Sequence, residues 1–578
     1  MARIIFFGLL TGIFLLFPPA SQAQSPAKIP AGLLAKTAAG GQAEFFVILT
    51  GQADLSGAAS LTGKAKTRYV YETLWRAAQS SQRPLRAWLD GRGVSYRAFY
   101  ITNALLVEGD RDLLLALAAR PDVARLEENP AFDSLRLPAQ APPPKGRSPS
   151  TIEAGLAYVN ADDVWGLGFT GQGVVIGGQD TGYQWDHPAL LNQYRGWNGS
   201  AAWHDYNWHD SIHSSFFSSC GSNSPQPCDD HNHGTHTMGT AAGDDGLGNQ
   251  VGMAPGAEWI GCRNMDVGVG SPATYLECFE FFLAPYPVGD SPANGAPELA
   301  PDVTVNSWSC PPDEGCSWQT LQGAIEAHRA AGIMTVAAVG NAGSNCSSLS
   351  VPPGIYDAAY TIGALETDSD SLAGFSSRGP VLIDGSNRLK PDLAAPGVSI
   401  RSSIRNSAYG FLSGTSMATP HVAGAVALIW SAVPNLKNNI AATETILNET
   451  AHHLSTTECA GSGWPNNLYG YGRLDVLAAV EAARLPRAAF SFTPSPLNRP
   501  VAFANLTTGS LPLTSTWQFG DGATLTTLGD PQPVQHTYTI TGTYTITLTA
   551  NNAFGQSTVT QTHTAVQLQA LYLPLVVK

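Results

Sequence analysis

Residues 174–182 read VVIGGQDTG, a short apolar run that stops at a carboxylate and a glycine turn. Three more short β-rich runs come later in the chain, at 257–262, 303–308 and 333–338. Segments with helical patterns alternate with these runs, at 273–282, 320–331 and 415–432. Short strands alternating with helices are typical of a parallel sheet with helices on both faces. The pattern therefore predicts an α/β fold for a central unit over residues 148–487.

The unit before it, residues 24–147, is predicted to be a separate small α+β domain. Its candidate strands lie at 43–49 and 98–106, and its candidate helices at 68–89 and 110–119. The stretch LPAQAPPPKGRSPS at 137–150 is rich in proline and serine. Such a composition favours an extended linker that proteases can reach.

After residue 487 the helical patterns vanish and threonine becomes dense. Short alternating strands there predict a β-sandwich over residues 488–566, with a tail at 567–578. The candidate strands are 500–505, 515–519, 535–539, 542–550 and 557–566.

Charge is distributed unevenly along the 578 residues. The chain carries 31 Lys and Arg against 45 Asp and Glu, a formal net charge of −14. This argues against nucleic acid as a partner, because phosphate binding requires a basic face. Residues 24–147 carry 16 basic and 11 acidic side chains, a net +5, whereas residues 148–578 carry 14 and 34, a net −20. Since opposite potentials favour association, the N-terminal unit is expected to dock on the acidic remainder of the chain.

The first 23 residues are predicted to be a secretory signal peptide. Arg3 precedes an apolar run over 4–17, and residues 21–23 (Ser-Gln-Ala) have the small-x-small form of a cleavage site. Cleavage is therefore expected after Ala23. The run is shorter than the ~20 residues that span a bilayer, so the mature form is expected to be secreted and to have no membrane span.

Eight cysteines, all between residues 220 and 459, agree with export. An even number of cysteines in an exported chain suggests disulfides, which need an oxidising compartment. The close pairs Cys220/Cys228 and Cys310/Cys316 are expected to staple loops.

Three islands of glycine and polar residues adjoin the apolar runs, and they carry Asp180, His233 and Ser416. A hydroxyl nucleophile needs a base to take its proton, and the base needs a carboxylate to hold its tautomer. One Asp, one His and one Ser at loop or helix starts of an α/β core supply that set. Taken alone, Asp180 is equally well explained by an Asx turn, and a serine at a helix start, such as Ser416, is usually an N-cap.

The histidine island also offers a metal site as an alternative. His231, His233 and His236 fall within six residues, and Asp229 and Asp230 precede them. A metallohydrolase built on this cluster is therefore a second hypothesis. Under the first hypothesis, Asp229, Asp230 and His231 are expected to lie in a solvated loop, and His236 is expected to be structural.

Three motifs resemble those of the subtilisin-like serine proteases, and the resemblance covers roughly residues 155–485. They are D-T-G at 180–182, H-G-T-H at 233–236 and G-T-S-M-A-T-P-H-V-A-G at 414–424, in the family's order Asp, His, Ser. The resemblance implies that Asp180 orients the base His233 and that Ser416 is the nucleophile. Asn341, within AVGNAG at 338–343, matches the family's oxyanion asparagine. The implied activity is a serine endopeptidase that hydrolyses peptide bonds through an acyl-enzyme.

The resemblance also implies where a substrate lies. Subtilisin-like proteases hold an extended peptide as an added strand between two segments. By position these are Ser307-Trp308-Ser309, a wall of the primary pocket, and Gly268-Val269-Gly270 opposite it. Trp308 is larger than the family's usual residue, and Val351 is expected to narrow the pocket floor. No cofactor or metal is implied for catalysis; structural calcium is common in the family, although the motifs name no ligands for it.

Residues 43–137 resemble the inhibitory, folding-assisting propeptide of these proteases, so a propeptide is expected over 24–147. The implied protein is a secreted zymogen that carries its own propeptide as an intramolecular inhibitor and cuts itself within about residues 138–152. The runs GCRNMD at 261–266 and PATYLEC at 272–278 resemble the bacillopeptidase F-like branch of the family. Proteins or peptides are the expected substrates.

The C-terminal unit resembles a PKD domain through WQFGDG at 517–522, HTY at 536–538 and GTY at 542–544. Gln518 departs from the usual W-D-F-G-D-G pattern. Such domains are spacers or binding modules on exported enzymes, and both roles stay open. A third hypothesis is a secreted binding protein with an inactive protease core, against which the intact Asp, His, Ser and Asn argue.

Overall fold

The computed structural model describes residues 28–133, 137, 138, 152–215, 218–311 and 316–567. The predicted signal peptide, most of the predicted linker and nearly all of the tail lie outside the described residues. Within those ranges, no helix combines the length and the apolar character needed to cross a bilayer.

The N-terminal unit is an antiparallel sheet with helices packed against it. Its helices are α1 (Ala31–Lys36), α2 (Gly63–Ser81), α3 (Arg83–Asp90) and α4 (Arg111–Ala118). Its strands are β1 (Ala43–Leu49), β2 (Tyr96–Phe99), β3 (Ala104–Gly109), β4 (Val123–Glu128) and the short β5 (Phe132–Asp133). The sheet order is β2-β3-β1-β4, with β5 outside it.

One strand prediction in this unit is wrong. The single strand predicted at 98–106 is two antiparallel strands, β2 and β3, joined by a turn at 100–103. Asn103 lies in that turn at φ 45°. Asparagine tolerates this left-handed conformation, which lets the chain reverse without a glycine.

The strands of the central unit run from β6 to β16. They are β6 (Val175–Asp180), β7 (Trp208–Asp210), β8 (Glu258–Arg263), β9 (Met265–Asp266), β10 (Val269–Gly270), β11 (Val303–Asn306), β12 (Met334–Ala338), β13 (Ala359–Leu365), β14 (Leu393–Pro396), β15 (Ile400–Ile404) and β16 (Ala408–Leu412). The main sheet has the order β14-β13-β12-β11-β6-β8-β7, and every neighbouring pair in it is parallel. The predicted parallel α/β sheet is confirmed.

Helices cover both faces of this sheet. They are α5 (Ala154–Tyr158), α6 (Ala161–Gly166), α7 (His233–Ala242), α8 (Pro272–Leu283), α9 (Gln322–Ala331), α10 (Thr415–Ala432), α11 (Ile440–Thr450) and α12 (Val476–Arg484). Successive residues of a strand point to opposite faces. Val336 of β12 packs in the cluster that holds α10, whereas its neighbour Ala337 packs in the cluster that holds α8 and α9.

The N-terminal unit shares a hydrophobic core with one of these faces. Val70 of α2 and Phe99 of β2 are buried in the same cluster as Phe279 of α8 and Ile325 of α9. Helix α2 packs directly against α9. The docking expected from the opposite charges of the two units is therefore accompanied by burial of apolar surface, which is the larger favourable contribution in most protein association.

The C-terminal unit is a β-sandwich, as predicted. Its strands are β17 (Phe490–Phe492), β18 (Pro500–Asn505), β19 (Leu513–Gln518), β20 (Thr524–Gly529), β21 (Val534–Thr537), β22 (Gly542–Asn552) and β23 (Gly555–Ala565). They form the sheets β17-β18-β21 and β20-β19-β22-β23 around a core that includes Trp517 and Tyr538. Strands β17 and β20 were not predicted, because the first is short and the second is mostly exposed.

All eight cysteines are paired. The disulfides are Cys220–Cys228, Cys262–Cys278, Cys310–Cys316 and Cys346–Cys459. The two pairs expected from close spacing are confirmed. The other two join residues whose proximity arises only from the folded chain.

Candidate active site

Asp180 is the last residue of β6, at the carboxyl edge of the parallel sheet, where open α/β folds form their ligand sites. Its carboxylate is buried and accepts three hydrogen bonds. Oδ1 accepts from the backbone N–H of Thr181 and from Nδ1 of His233, each at 2.7 Å, and Oδ2 accepts from the hydroxyl of Thr237 at 3.3 Å. These contacts hold the carboxylate in one orientation toward the imidazole.

His233 is the first residue of α7, and its side chain is fully buried. A carboxylate can only accept, so the 2.7 Å contact assigns the ring proton to Nδ1. This leaves Nε2, on the far side of the ring, with a lone pair that can take a proton. Nε2 is buried and has no hydrogen-bond partner among the described residues.

The aspartates before α7 are buried, so the expectation that Asp229 and Asp230 lie in a solvated loop is wrong. Asp229 Oδ2 accepts from the backbone N–H and the hydroxyl of Thr235, at 3.1 and 2.6 Å. Its Oδ1 accepts from the hydroxyl of Thr181 at 2.9 Å. Asp229 thus caps the first turn of α7 and ties it to the loop after Asp180. The sequence signal was an acid just before a helix start, where a negative charge is favourable.

Ser416 is the second residue of α10, so it lies in the first turn of a long buried helix. Its hydroxyl donates to the carbonyl of Ser307 at 2.9 Å, and the hydroxyl of Ser307 donates back to the carbonyl of Ser416 at 2.9 Å. This reciprocal pair fixes the start of α10 against the end of β11. Among the described residues, no hydrogen bond joins Ser416 to His233, so the hydroxyl must leave Ser307 before it can transfer a proton there.

Asn341 lies in the loop after β12, beside the start of α10. Its Oδ1 accepts from the backbone N–H and from the hydroxyl of Thr415, both at 3.0 Å. These two bonds fix the orientation of the side-chain amide. Nδ2 lies 3.6 Å from the point that a Cβ on Gly414 would occupy, and Gly414 immediately precedes the first two residues of α10, Thr415 and Ser416.

A cavity of about 210 Å³ lies beside Ser416 and Asn341. The predicted pocket residues Ser307, Trp308, Ser309 and Val351 line it, as does Leu137 from the N-terminal unit. The lining residues carry no charged side chain in the described part of the chain. Because an unpaired charge is costly to bury, the cavity suits an uncharged side chain.

The indole of Trp308 is buried against an aromatic partner. Its ring stacks on that of Tyr275 in α8, with centroids 3.8 Å apart and planes within 7°. This partner was not predicted, because nothing in the sequence places α8 beside the end of β11. The bulk of Trp308 is therefore accommodated largely by α8, and only part of it faces the cavity.

The predicted second wall, Gly268-Val269-Gly270, contains the short strand β10. In this structure β10 pairs antiparallel with β5 of the N-terminal unit, with Val269 opposite Asp133 and Gly270 opposite Phe132. On its other side β10 pairs with β9. An extended segment of the chain itself therefore lies where an added peptide strand was expected.

The remaining histidines near the site have separate partners. Nε2 of His236 contacts the carbonyl of Ile400 at 3.0 Å, and Nδ1 of His421 contacts the carbonyl of Met417 at 2.8 Å. Burial lowers the pKa of His236 to about 3 and that of His421 to about 4. Both are therefore neutral near pH 7. Within the described ranges, no group of three or more His, Cys, Asp or Glu side chains is arranged to hold a metal ion.

The contact between the D-T-G and H-G-T-H motifs leaves no room for a side chain at Gly234. A Cβ there would lie 2.0 Å from the carbonyl oxygen of Gly182 and 3.1 Å from Cβ of Asp180. Gly234→Ala is therefore expected to push His233 away from Asp180 and to lower kcat/KM by about 100-fold, the scale of a displacement of about 1 Å. Gly166→Ala is the matched control, because a Cβ at Gly166 meets nothing within 4 Å. Equal activity of the two variants would contradict the tight contact.

Comparison with known proteins defines the class. Residues 171–472 match the peptidase S8 profile, described as the Subtilase family, and residues 489–565 match the PKD domain. The subtilase match spans more than half of the chain, and it covers the parallel α/β sheet described above. Together they define the class of the protein as a serine endopeptidase. The chain belongs to the subtilase family.

Three relatives illustrate the similarity. Bacillopeptidase F of Bacillus subtilis (strain 168) is 32% identical over 446 residues, which are 72% of this chain and 29% of that protein. Subtilisin DY of Bacillus licheniformis is 29% identical over 338 residues, 57% of this chain and 99% of that protein. Subtilisin E of Bacillus subtilis (strain 168) is 28% identical over 428 residues, 73% of this chain and 93% of that protein. The resemblance to the bacillopeptidase F-like branch is confirmed, although the chain spans less than a third of bacillopeptidase F.

Proposed function

We propose that this protein is a secreted serine endopeptidase, made as a self-processing zymogen, in which Asp180, His233 and Ser416 form the catalytic triad. The observation that carries the proposal is the 2.7 Å bond from His233 to Asp180 at the carboxyl edge of the sheet. Helix α7, which begins at His233, packs against α10, which begins one residue before Ser416. Family membership supports peptide bonds as the substrate class.

In the proposed reaction, the Ser416 hydroxyl turns from the Ser307 carbonyl to His233 and attacks the scissile carbonyl carbon. Nε2 of His233 takes the hydroxyl proton and then gives it to the leaving amine, which leaves an acyl group on Ser416. A water molecule repeats the sequence and releases the acid. Asp180 holds the Nδ1–H tautomer and stabilises the imidazolium that forms. Catalytic hydrogen bonds are often long or misaligned before substrate binds, so the resting bond of Ser416 to Ser307 is compatible with this sequence.

The negative oxygen of the tetrahedral intermediate is proposed to lie between Nδ2 of Asn341 and the backbone N–H of Ser416. Thr415 holds the opposite end of the Asn341 amide through two hydrogen bonds, which supports a fixed donor. The first turn of α10 adds unpaired N–H groups and the positive end of the helix dipole. Donors fixed in advance stabilise developing charge without reorganising during the reaction.

Docking of residues 24–147 as an inhibitory propeptide is supported by polar contacts to the central unit. Arg97 forms an ion pair with Glu277 of α8 at 2.5 Å. The backbone N–H groups of Tyr100 and Ile101 donate to Glu280, the second of them at 3.0 Å. Lys64 donates to the carbonyl of Ala300 at 2.7 Å. These contacts join the two units, and the Arg97–Glu277 pair supports the proposed electrostatic part of the docking.

Inhibition is supported by what lies at the substrate positions. Strand β5 occupies the edge of β10, and Leu137 lines the cavity beside Ser416. A substrate peptide would compete with this segment for both positions. We propose that the chain cuts itself within about residues 138–152, which frees the cleft once the N-terminal unit is lost.

Export, the role of the C-terminal unit and the metal requirement belong to the same proposal. The predicted signal peptide and the four disulfides support a secreted, extracellular enzyme. The PKD domain is proposed as a spacer or a binding module. Catalysis is proposed to need no cofactor, and structural calcium stays a prediction without assigned ligands.

Labelling with a fluorophosphonate tests the proposed nucleophile. The mature enzyme is expected to take up one label, on Ser416, as identified by mass spectrometry of its peptides, and to lose hydrolysis in proportion. Unfolded enzyme is the control and is expected to take up none, because activation of the hydroxyl needs the folded base. A fully labelled enzyme that still hydrolysed peptides, or label on another residue, would contradict the assignment.

Chelation distinguishes the metallohydrolase built on residues 231–236. A brief treatment with EDTA, with an immediate assay, is expected to leave the initial rate unchanged, because the proposed chemistry uses no metal. An instant loss that zinc restores would favour the metal site instead. Loss that develops slowly and parallels unfolding, monitored by circular dichroism, would indicate a structural ion.

A further inference from the structure

A fully buried arginine, Arg263, lies just before the hairpin of β9 and β10 in the central unit. Arg263 is the last residue of β8, and its guanidinium contacts three carboxylates. Nη2 lies 2.5 Å from Asp230 and 2.6 Å from Asp266, and Nη1 lies 3.3 Å from Asp210. It also donates to the carbonyl of Gly221 at 2.8 Å. One side chain therefore joins four segments: the end of β7, the loop closed by the Cys220–Cys228 disulfide, the residues before α7, and strand β9.

The residues just after Arg263 form a tight hairpin whose outer strand is β10. Strand β9 leads into a turn at Val267 and Gly268, with φ 52° and 89°, and the chain returns as β10. Two successive residues at positive φ are the mark of the tightest hairpin turns, which favour Asn-Gly. A β-branched residue rarely adopts this conformation. The turn therefore needs outside contacts to hold it.

Asp230 supplies such a contact. Its Oδ1 accepts from the backbone N–H of Val267 at 3.0 Å, while its Oδ2 is held by Arg263. The carboxylate is almost fully buried, and it lies three residues before His233. The same side chain thus connects the hairpin turn to the segment that carries the proposed base. Without Arg263, Asp230 and Asp266 would be two negative charges without their shared cation.

We propose that Arg263 is a positioning residue for peptide binding: it clamps Asp230 and Asp266 so that β10 is held ready to receive an extended peptide. The pairing of β10 with β5 supports this, because that edge already accepts a strand in the present structure. The inference rests on the proposed peptidase function. It assigns to Arg263 no contact with the reacting atoms. Peptides long enough to pair with β10 would depend on the clamp, and short ones would not.

Steady-state kinetics of the mature enzyme test this role. Two substrates are compared, a peptide with six residues before the scissile bond and an activated ester of a single acylated amino acid. Arg263→Met is expected to raise KM for the long peptide by about 10- to 100-fold, the scale of losing about two main-chain hydrogen bonds between the peptide and β10. Its kcat on that peptide and both constants for the ester should stay near wild-type values, since a loss of uniform binding raises KM alone.

Two further variants separate positioning from general stability. Asp266→Asn removes the charge of a partly exposed partner of Arg263 while keeping the size of its side chain. It is expected to shift the ratio of the two KM values in the same direction as Arg263→Met. This variant keeps the test possible if Arg263→Met fails to fold. Arg473→Met removes an ion pair with Asp370 elsewhere and is expected to lower the melting temperature without changing that ratio. Equal losses of kcat on both substrates, or an unchanged ratio in Asp266→Asn, would overturn the inference. A wild-type enzyme that hydrolysed neither substrate would instead refute the proposed function.

Discussion

Ser416→Ala is expected to abolish peptide hydrolysis and maturation together. The substitution removes the only atom proposed to form a covalent bond with the substrate. The bond from the Ser307 hydroxyl to the carbonyl of residue 416 remains, and alanine is a strong helix former, so the start of α10 is expected to be kept. The expected fall in kcat is roughly a millionfold; this size is known for the same substitution in subtilisin and is carried over from it. The full-length chain is expected to accumulate, with the N-terminal unit still docked. Hydrolysis of a peptide substrate and the chain mass measure the two effects.

Ser431→Ala provides the control within the same helix. Ser431 is the one residue of α10 that is not buried, and its hydroxyl donates to the carbonyl of Leu428 within the helix. This variant is expected to mature and to hydrolyse peptides normally. If purified Ser416→Ala lost its N-terminal unit at the wild-type rate with no other protease present, self-processing by Ser416 would be refuted.

His233→Ala is expected to cost nearly as much as Ser416→Ala. Without the imidazole no group accepts the hydroxyl proton, since the neighbouring buried histidines His236 and His421 are held by backbone carbonyls. Residues that act as a unit are grossly non-additive. The double variant is therefore expected to be no slower than either single variant, with a residual rate that comes from substrate binding and the proposed oxyanion donors.

His452→Ala is the control for the histidine variant. It removes a half-exposed imidazole that faces Asp370 in another part of the molecule, and it is expected to leave kcat/KM unchanged. If the fold-loss of kcat in the double variant equalled the product of the two single losses, His233 and Ser416 would act separately. The proposed triad would then be wrong even if both single variants were inactive.

Much of the fold was predictable because its decisive segments are long or wholly apolar. Helix α10 has the predicted bounds, since eighteen residues without Asp, Glu, Lys or Arg leave few alternatives to a buried helix. Strand β6 lies within one residue of its prediction. The strand predicted at 98–106 failed because its apolar residues continue through the turn before Asn103, with no glycine or proline to mark it.

The features of the candidate site that the sequence did not predict depend on contacts between residues far apart in the chain. The polar run around Asp229 predicts a solvated loop. In the folded chain the carboxylate is instead buried, where it accepts hydrogen bonds from the hydroxyls of Thr181 and Thr235. The sequence shows Arg263 only within the run at 261–266 that resembles the bacillopeptidase F-like branch, because nothing nearby in the sequence indicates that Asp210 and Asp230 surround it. Spacing suggested the disulfides that close short loops and could not suggest Cys346–Cys459, whose partners are 113 residues apart.

That long-range disulfide affects how the protein should be produced. Cys346 lies five residues after Asn341, so the bond anchors the loop that carries the proposed oxyanion donor to a segment beyond α11. In the chain-entropy treatment, a crosslink that closes a loop on the order of 100 residues raises the free energy of the unfolded chain by about 4.7 kcal/mol, because it lowers the chain's conformational entropy. Recombinant material made in a reducing bacterial cytoplasm would lack this anchor. Periplasmic or secretory expression is therefore the appropriate route to ordered enzyme.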